Sequence, residues 1–287
     1  MIPFRLTIAA GLAVMALAGP AFGAGDRIKP PAETWSFSGP FGRFDQAQLQ
    51  RGFKVVKEVC ASCHSMNLIR FRNLSQPGGP GFTASQVAAL AQTYQIKDGP
   101  NEAGEMFERP GRPADRFPSP FANEQAARAA QGGAYPPDFS VLAKARTYTR
   151  GFPTFVFDIF TQYQEQGPDY IHALMTGYKE PPAGVTLLPG QNYNEYMPGH
   201  LIAMPNPLSN GQVEYPKGAD GKSPVPETVD QYARDVAAFM VWMAEPHLEQ
   251  RKRIGLQVMI FLVLFAGLLY YTKKKVWSRM PDGSPVH

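Results

Sequence analysis

Cysteine is nearly absent from this chain. Only Cys60 and Cys63 occur in 287 residues, three positions apart. A disulfide framework of the kind that staples small secreted domains is therefore excluded, and the two thiols are read as serving one shared task. Strand signals are few, and there is no internal repeat and no low-complexity tract. Positive charge is missing from the middle of the chain. Residues 24–250 hold 20 Lys and Arg against 23 Asp and Glu, a net of −3, although the whole chain carries +4. A nucleic-acid surface needs its positive charge on the folded body, so that function class is excluded. Glycine (27) and proline (28) are abundant, yet 44% of residues are apolar. That combination implies a folded, loop-rich domain rather than disorder.

The basic residues collect at the C-terminal end. Arg251, Lys252 and Arg253 precede, and Lys273, Lys274 and Lys275 follow, the uncharged run Ile254–Thr272. Its 19 residues span about 28 Å as a helix, close to the ~30 Å hydrocarbon thickness of a bilayer. Tyr270, Tyr271 and Trp277 stand near one interface, as aromatic belt residues do. A buried core helix would show a polar face over five turns, and this run has none. At the other end, Arg5, the apolar run Leu6–Leu17 and the small residues Ala21-Phe22-Gly23 read as a secretory signal peptide. The apolar run is short for an uncleaved anchor. The expected organisation is a signal peptide over 1–23, an exported domain over 24–250, a membrane helix over 254–272 and an internal tail over 273–287.

Within the exported domain, residues 26–44 read as an irregular arm. Asp45 is a good N-cap for a helix starting at Gln46, with Leu49, Phe53, Val56 and Cys60 on one apolar face. Further helices are expected over Ser85–Tyr94, Glu124–Gln131 after the cap Asn123, and Asp169–Gly177, with a helix or extended segment over Phe139–Tyr148. Pro181–Asn210 reads as a long wrapped loop. Thr228-x-x-Gln231 has the form of a capping box opening a helix whose apolar stripe is Tyr232, Val236, Phe239, Met240 and Met243. Pro246 ends or bends that helix before the membrane run. The expected fold is mainly α, with long loops and one C-terminal transmembrane helix.

Cys60-Ala61-Ser62-Cys63-His64 specifies the class of this mainly α domain as a c-type cytochrome domain. C-x-x-C-H is the attachment motif of c-type haem. Two thiols one turn apart at a helix end can each bond a vinyl-derived carbon on one porphyrin edge, and the following histidine then lies under the iron. A thioredoxin-like dithiol wants a strand before the motif and a helix after it, whereas here the helix comes first. A zinc site needs four ligands, and no second cysteine pair exists. One covalent haem c is thus the expected cofactor, with His64 as the first axial ligand.

The second axial ligand is not fixed by local spacing. Thioether sulfur would raise the potential and suit a reversible carrier. Candidates are Met66, Met106, Met175, Met197, Met204, Met240, Met243, His172 and His200. Met66 is too near His64 to reach the opposite face, and Met240, Met243 and Met175 are more simply core. Met204 lies in the apolar run Leu201-Ile202-Ala203-Met204-Pro205, within the proline-rich loop, with Met197 and His200 as the leading alternatives. An N-terminal helix should also cross the C-terminal one behind the haem, with Gly52-Phe53 as the crossing point and Tyr232 or Phe239 opposite.

The chain resembles the cytochrome c1 family from about Arg51 to Trp277. The likeness is carried by Arg51-Gly52-Phe53 and Val59–Met66, Lys97–Glu102, Gly104–Phe107, Arg109-Pro110-Gly111, Asn123–Ala130, Pro136-Pro137-Asp138, Ala145-Arg146, Thr176-Gly177-Tyr178, and Ala244-Glu245-Pro246 with Arg251-Lys252-Arg253. The family's methionine ligand lies in a Met-Pro-rich loop matching Ile202–Leu208, which implies Met204 as the sixth ligand. The resemblance also implies contacts to the haem propionates from Arg146 and Tyr170. Three departures stand out. Val56 replaces a tyrosine found in some members, residues 147–168 look like an insertion, and the extra disulfide of some bacterial members is precluded.

By that resemblance the chain is an electron-transfer subunit of a quinol–cytochrome c reductase, not a catalyst alone. Its expected partners are cytochrome b, the Rieske iron–sulfur protein, a cytochrome c acceptor and membrane lipid. The expected location is a bacterial inner membrane, crossed once, with the haem domain in the periplasm. Asp98, Glu102, Glu105 and Glu108 form an acidic stretch suited to steering a basic cytochrome c, or else an ordinary solvated loop. The rival functions are a stand-alone tethered shuttle cytochrome and a haem sensor with an open sixth position.

Overall fold

The computed structural model describes residues 28–146, 153, 156–157, 166–218, 221 and 223–278. The expected signal peptide, most of the 147–168 segment and the last residues of the tail lie outside them. Helix α1, Gln46–Glu58, begins where Asp45 accepts a hydrogen bond from the Gln48 N–H. It buries Leu49, Gly52, Phe53, Val55 and Val56. Helix α2, Ala84–Gln92, starts at a full capping box: Thr83 Oγ1 accepts from the Gln86 N–H, and Gln86 Oε1 accepts from the Thr83 N–H. Strands β1, Gln95–Asp98, and β2, Phe107–Pro110, form an antiparallel hairpin. Helix α3, Glu124–Ala130, is capped by Asn123 and followed by Gly132 and Gly133, both at positive φ. Helices α4, Leu142–Ala145, and α5, Gly167–Thr176, precede a second small hairpin of β3, Asn192–Tyr193, and β4, Leu201–Ile202. Helix α6, Val229–Ala244, and helix α7, Leu248–Trp277, complete the order.

The core forms around α6, which packs against α1, α4 and α5. Its closest approach is to α1 at Gly52. A Cβ there would lie 2.2 Å from the Asp235 carbonyl oxygen and 2.7 Å from Phe239 Cβ, so only glycine fits. Phe53 then enters an aromatic cluster, with ring centroids 5.6 Å from Phe82, 5.6 Å from Phe239 and 6.0 Å from Phe117. The crossing expected from sequence is thus present, with Phe239 and the Asp235 carbonyl facing Gly52. Beside it the fully buried Asp235 carboxylate accepts two hydrogen bonds from Arg51 (2.8 and 3.1 Å), one from Tyr215 Oη (2.8 Å) and one from Gln231 Nε2 (2.9 Å). Burial and the neighbouring carboxylate both push the Tyr215 phenol upward, so it remains a donor.

Several expectations are corrected. The 26–44 arm is not merely irregular. It buries Trp35, Phe37 and Phe44, and Trp35 Nε1 donates to Asp169 Oδ1 at 2.6 Å. The capping box at Thr228 is half formed. Thr228 Oγ1 accepts from the Gln231 N–H, but the Gln231 side chain turns to Asp235, because a buried carboxylate is the stronger acceptor. The Pro181–Asn210 loop contains the β3–β4 hairpin. α5 begins at Gly167, earlier than expected, where a Cβ would sit 1.9 Å from the Ala143 carbonyl oxygen.

α7 is 30 residues long, so the helix extends past both ends of the apolar run. Its 18-residue apolar window has a mean hydropathy of 2.2 and no buried share. Among the described residues it is the one helix long and apolar enough to cross a membrane. Lys252, in the basic flank, does not face solvent. It is buried, and its ammonium donates to the carbonyls of Phe37 (2.7 Å) and Gly39, which ties the first turns of α7 to the N-terminal arm.

The α1–α6 crossing generates a direct test. Gly52→Val should destabilise the holoprotein by at least about 3 kcal/mol, because backbone rather than a mobile side chain blocks the new methyl groups. Arg51→Ala should cost about 3–5 kcal/mol by stranding the Asp235 charge. Denaturant melts followed by far-ultraviolet circular dichroism check both, and a wild-type midpoint in either variant would contradict the packing described.

Candidate functional site

The C-terminal end of α1 leads directly into the Cys60 motif. After Val59 the chain tightens into one 3₁₀ turn, Cys60–Ser62. The N–H groups of Cys63 (3.1 Å) and His64 (2.9 Å) both donate to the Cys60 carbonyl. Ser62 Oγ donates to the Val59 carbonyl at 2.8 Å and holds the turn from outside. The tight coil brings both thiols and the following imidazole into one short turn. Both cysteines are free and half-buried. Apolar packing around Cys60 pushes its thiol up to about 12. Reactive redox dithiols are instead activated by a lowered pKa, so this environment does not suit one.

His64 is held on one side only. Its Nδ1 lies 2.8 Å from the Pro137 carbonyl, and its ring stacks on Phe139 with centroids 4.2 Å apart. A carbonyl can only accept, so Nδ1 carries the proton and Nε2 presents its lone pair. Burial lowers the His64 pKa, opposed by Pro137 and Asp138, and the ring is neutral at pH 7. No hydrogen bond among the described residues engages Nε2. This is the donor set an iron porphyrin requires: two free thiols, and a neutral imidazole already oriented through its far nitrogen.

The Pro136–Ser140 loop that orients His64 is itself fastened to the segment after the motif. Asp138 Oδ2 accepts from Ser65 Oγ and from the Asn67 N–H, both at 2.8 Å, and Asp138 Oδ1 accepts from the Ser140 N–H at 2.8 Å. The Phe139 N–H donates to the Ser65 carbonyl, and the Leu68 N–H donates to Ser140 Oγ. Burial alone would raise the Asp138 carboxyl. The N–H and hydroxyl donors together outweigh it and hold the group below the usual carboxylate range. Sequence reasoning missed Asp138, Phe139 and Ser140 as supports. The Asp-x-Ser spacing after two prolines was the available signal, since Asp readily accepts from the N–H two residues on.

Met204 is half-buried just after β4. Its carbonyl accepts from Tyr178 Oη (3.1 Å) and Asn192 Nδ2 (3.3 Å), while no described group bonds its sulfur. Met197 differs, because its sulfur already accepts from Tyr170 Oη at 3.7 Å. His200 occupies the turn region between β3 and β4 at φ +62, with its ring stacked on Tyr193. Buried Asn194 braces the same turn by donating to the Leu174 carbonyl and accepting from the Tyr196 and Met197 N–H groups. Tyr170 is buried on α5, whereas Arg146 is exposed at the C-terminal end of α4.

Among the described residues no group of three or more His, Cys, Asp or Glu is placed to hold a metal ion. Of the acidic stretch, Asp98 is paired with Arg109 at 2.5 Å, and Arg109 also binds Asp115 at 2.7 Å. These pairs depress both carboxyls, Asp115 to about 2. Glu102, Glu105 and Glu108 remain exposed.

Residues 35–280 match the Cytochrome C1 family. The chain is 63% identical over 251 residues to cytochrome b/c1 of Bradyrhizobium diazoefficiens, covering 87% of this chain and 36% of that longer protein. It is 48% identical over 280 residues to cytochrome c1 of Blastochloris viridis, covering 97% and 96% of the two chains. It is 41% identical over 251 residues to a mitochondrial cytochrome c1 heme protein of Arabidopsis thaliana, covering 88% and 73%. The match takes in the Cys60–His64 turn, the Met204 loop and the membrane helix together, and the chain belongs to the cytochrome c1 family of membrane-anchored cytochromes with covalently bound haem c.

Proposed function

We propose that this chain passes electrons from a Rieske iron–sulfur protein to a cytochrome c, as the haem subunit of a quinol–cytochrome c reductase that also contains cytochrome b. The observation that carries the reading is the Pro137 carbonyl on His64 Nδ1, which leaves Nε2 free and fixed. Haem, when bound, supplies the one-electron couple. Cys60 and Cys63 would hold it through thioether bonds, and His64 Nε2 and the Met204 sulfur would be the two protein donors to its iron. Arg146 and Tyr170 are the proposed polar contacts to its carboxylates. The Tyr178 and Asn192 bonds to the Met204 backbone, beside a sulfur that no described group bonds, favour Met204. Residues 1–23 act as the export signal, residues 24–250 lie in the periplasm, residues 254–272 cross a bacterial inner membrane, and residues 273–287 lie on its cytoplasmic side.

Three outcomes follow. Met204→Leu should give a carbon-monoxide-reactive haem with a potential lowered on the order of hundreds of millivolts. A spectroelectrochemical titration reads this, and an unchanged potential would remove Met204 from the iron. Asp138 contributes stability in full above its unfolded value of about 3.9, and loses it as pH falls through its lower folded value. Asp138→Ala should therefore cost about 1–3 kcal/mol at pH 7. It should also flatten the loss of stability below about pH 4, measured by thermal melts across pH. Finally, Glu102, Glu105 and Glu108 reversed to lysine should slow cytochrome c reduction and flatten its salt dependence, whereas Asp98, bound to Arg109, contributes little to docking. An unchanged salt slope in stopped-flow kinetics would end the steering role.

A further inference from the structure

A cleft of about 550 Å³ opens where the folded domain meets the membrane helix. Its walls come from the arm residues Phe41 and Arg43, from His247 and Glu249, and from Arg253 and Leu256 of α7. Three features distinguish it from an ordinary surface groove. First, its two arginines have no partner among the described residues, while the acid in the wall does: Glu249 Oε1 accepts from the Phe44 N–H at 2.9 Å. Arg251, the neighbouring cation, is paired with Glu245. Second, the cleft is built rather than loose. The buried Lys252 ammonium clasps the Phe37 and Gly39 carbonyls, which pins the loop carrying Phe41 and Arg43 beside α7. Third, it opens onto apolar surface. Leu256 and Ile260, one turn further, are exposed, and Phe41 is 76% exposed beside them.

The level of the cleft decides what it takes. Arg253 immediately precedes Ile254, the first residue of the uncharged run. The arginines therefore stand at headgroup depth and Leu256 at the start of the acyl region. We propose that the cleft seats an anionic phospholipid, with its phosphate between Arg43 and Arg253 and one chain along Leu256 and Ile260. Guanidinium groups suit phosphate through paired N–H donors. A free phosphate would leave the apolar floor uncovered, and an apolar helix of another subunit would leave two arginines unpaired. The inference rests on α7 crossing the bilayer, and the test separates the two claims.

Full-length haem-loaded protein is incubated with vesicles of equal phosphatidylglycerol and phosphatidylcholine, repurified, and its retained lipid counted by mass spectrometry. The wild type should retain phosphatidylglycerol preferentially, and Arg43→Gln with Arg253→Gln should reduce that preference on the order of tenfold. The same difference should appear when both proteins also carry Lys273→Gln, Lys274→Gln and Lys275→Gln, so that anionic lipid drawn to the far end of α7 is not counted. In native membranes, a photoreactive residue replacing Leu256 should form phospholipid adducts. Retention in proportion to supply, a preference that survives in the double variant, displacement by millimolar inorganic phosphate, or adducts with polypeptide would each overturn the proposal. Release of the chain from membranes by alkaline carbonate would overturn the membrane span itself.

Discussion

The structure depends on how closely α1 lies against α6 at Gly52. No side chain separates the helices there, so the Asp235 carbonyl and Phe239 press directly on the α1 backbone. The contact fixes both the distance and the rotation of α1. Arg51 and Asp235 lock the same junction from the side with a buried two-point ion pair. That pair is a costly device whose value lies in specifying one arrangement, because either charge alone would be stranded. Since the Cys60–Ser62 turn hangs on the end of α1, fixing α1 also fixes where the thiols and His64 point.

Around that helical frame, the groups proposed to meet the iron come from loops held by polar contacts. Pro137 turns His64 through a single carbonyl, and Asp138 gathers N–H and hydroxyl donors from both sides of the turn. The Met204 backbone is anchored through Tyr178 and Asn192. A ligand set that is already oriented changes little between oxidation states, which is what an electron carrier of this family needs. The same economy of placement appears at the membrane boundary. Lys252 fastens the N-terminal arm to the first turns of α7, so the folded domain is joined to its anchor by more than the covalent chain.

Much of this was legible in the residues. Asp45 and Asn123 mark helix starts because their side chains satisfy N–H groups that no helix can satisfy internally. A crossing at Gly52 opposite Tyr232 or Phe239 followed from the need for two helices to cross closely, and the structure places Phe239 there. What could not be read depends on which of several possible partners a side chain takes. Trp35 is anchored by Asp169, 134 positions away, so the arm looked irregular although it is core. Gln231 left its local cap for Asp235, and Asp98 left the acidic stretch for Arg109. In the first case a distant charged partner, and in the other two a charged neighbour on the same helix or hairpin, outweighed the local pattern. The small hairpins were hidden for a related reason: strands of two to four residues carry too little alternation to register.

The central claim is that Cys60 and Cys63 are thioether-bonded to one haem. The direct measurement is the mass of the protease-derived peptide containing Cys60–His64, taken from protein matured in the membrane and then fully denatured. The account predicts a peptide heavier by one haem, with neither cysteine open to alkylation. An unmodified peptide with two alkylated cysteines, or one with the two sulfurs joined to each other, would contradict it.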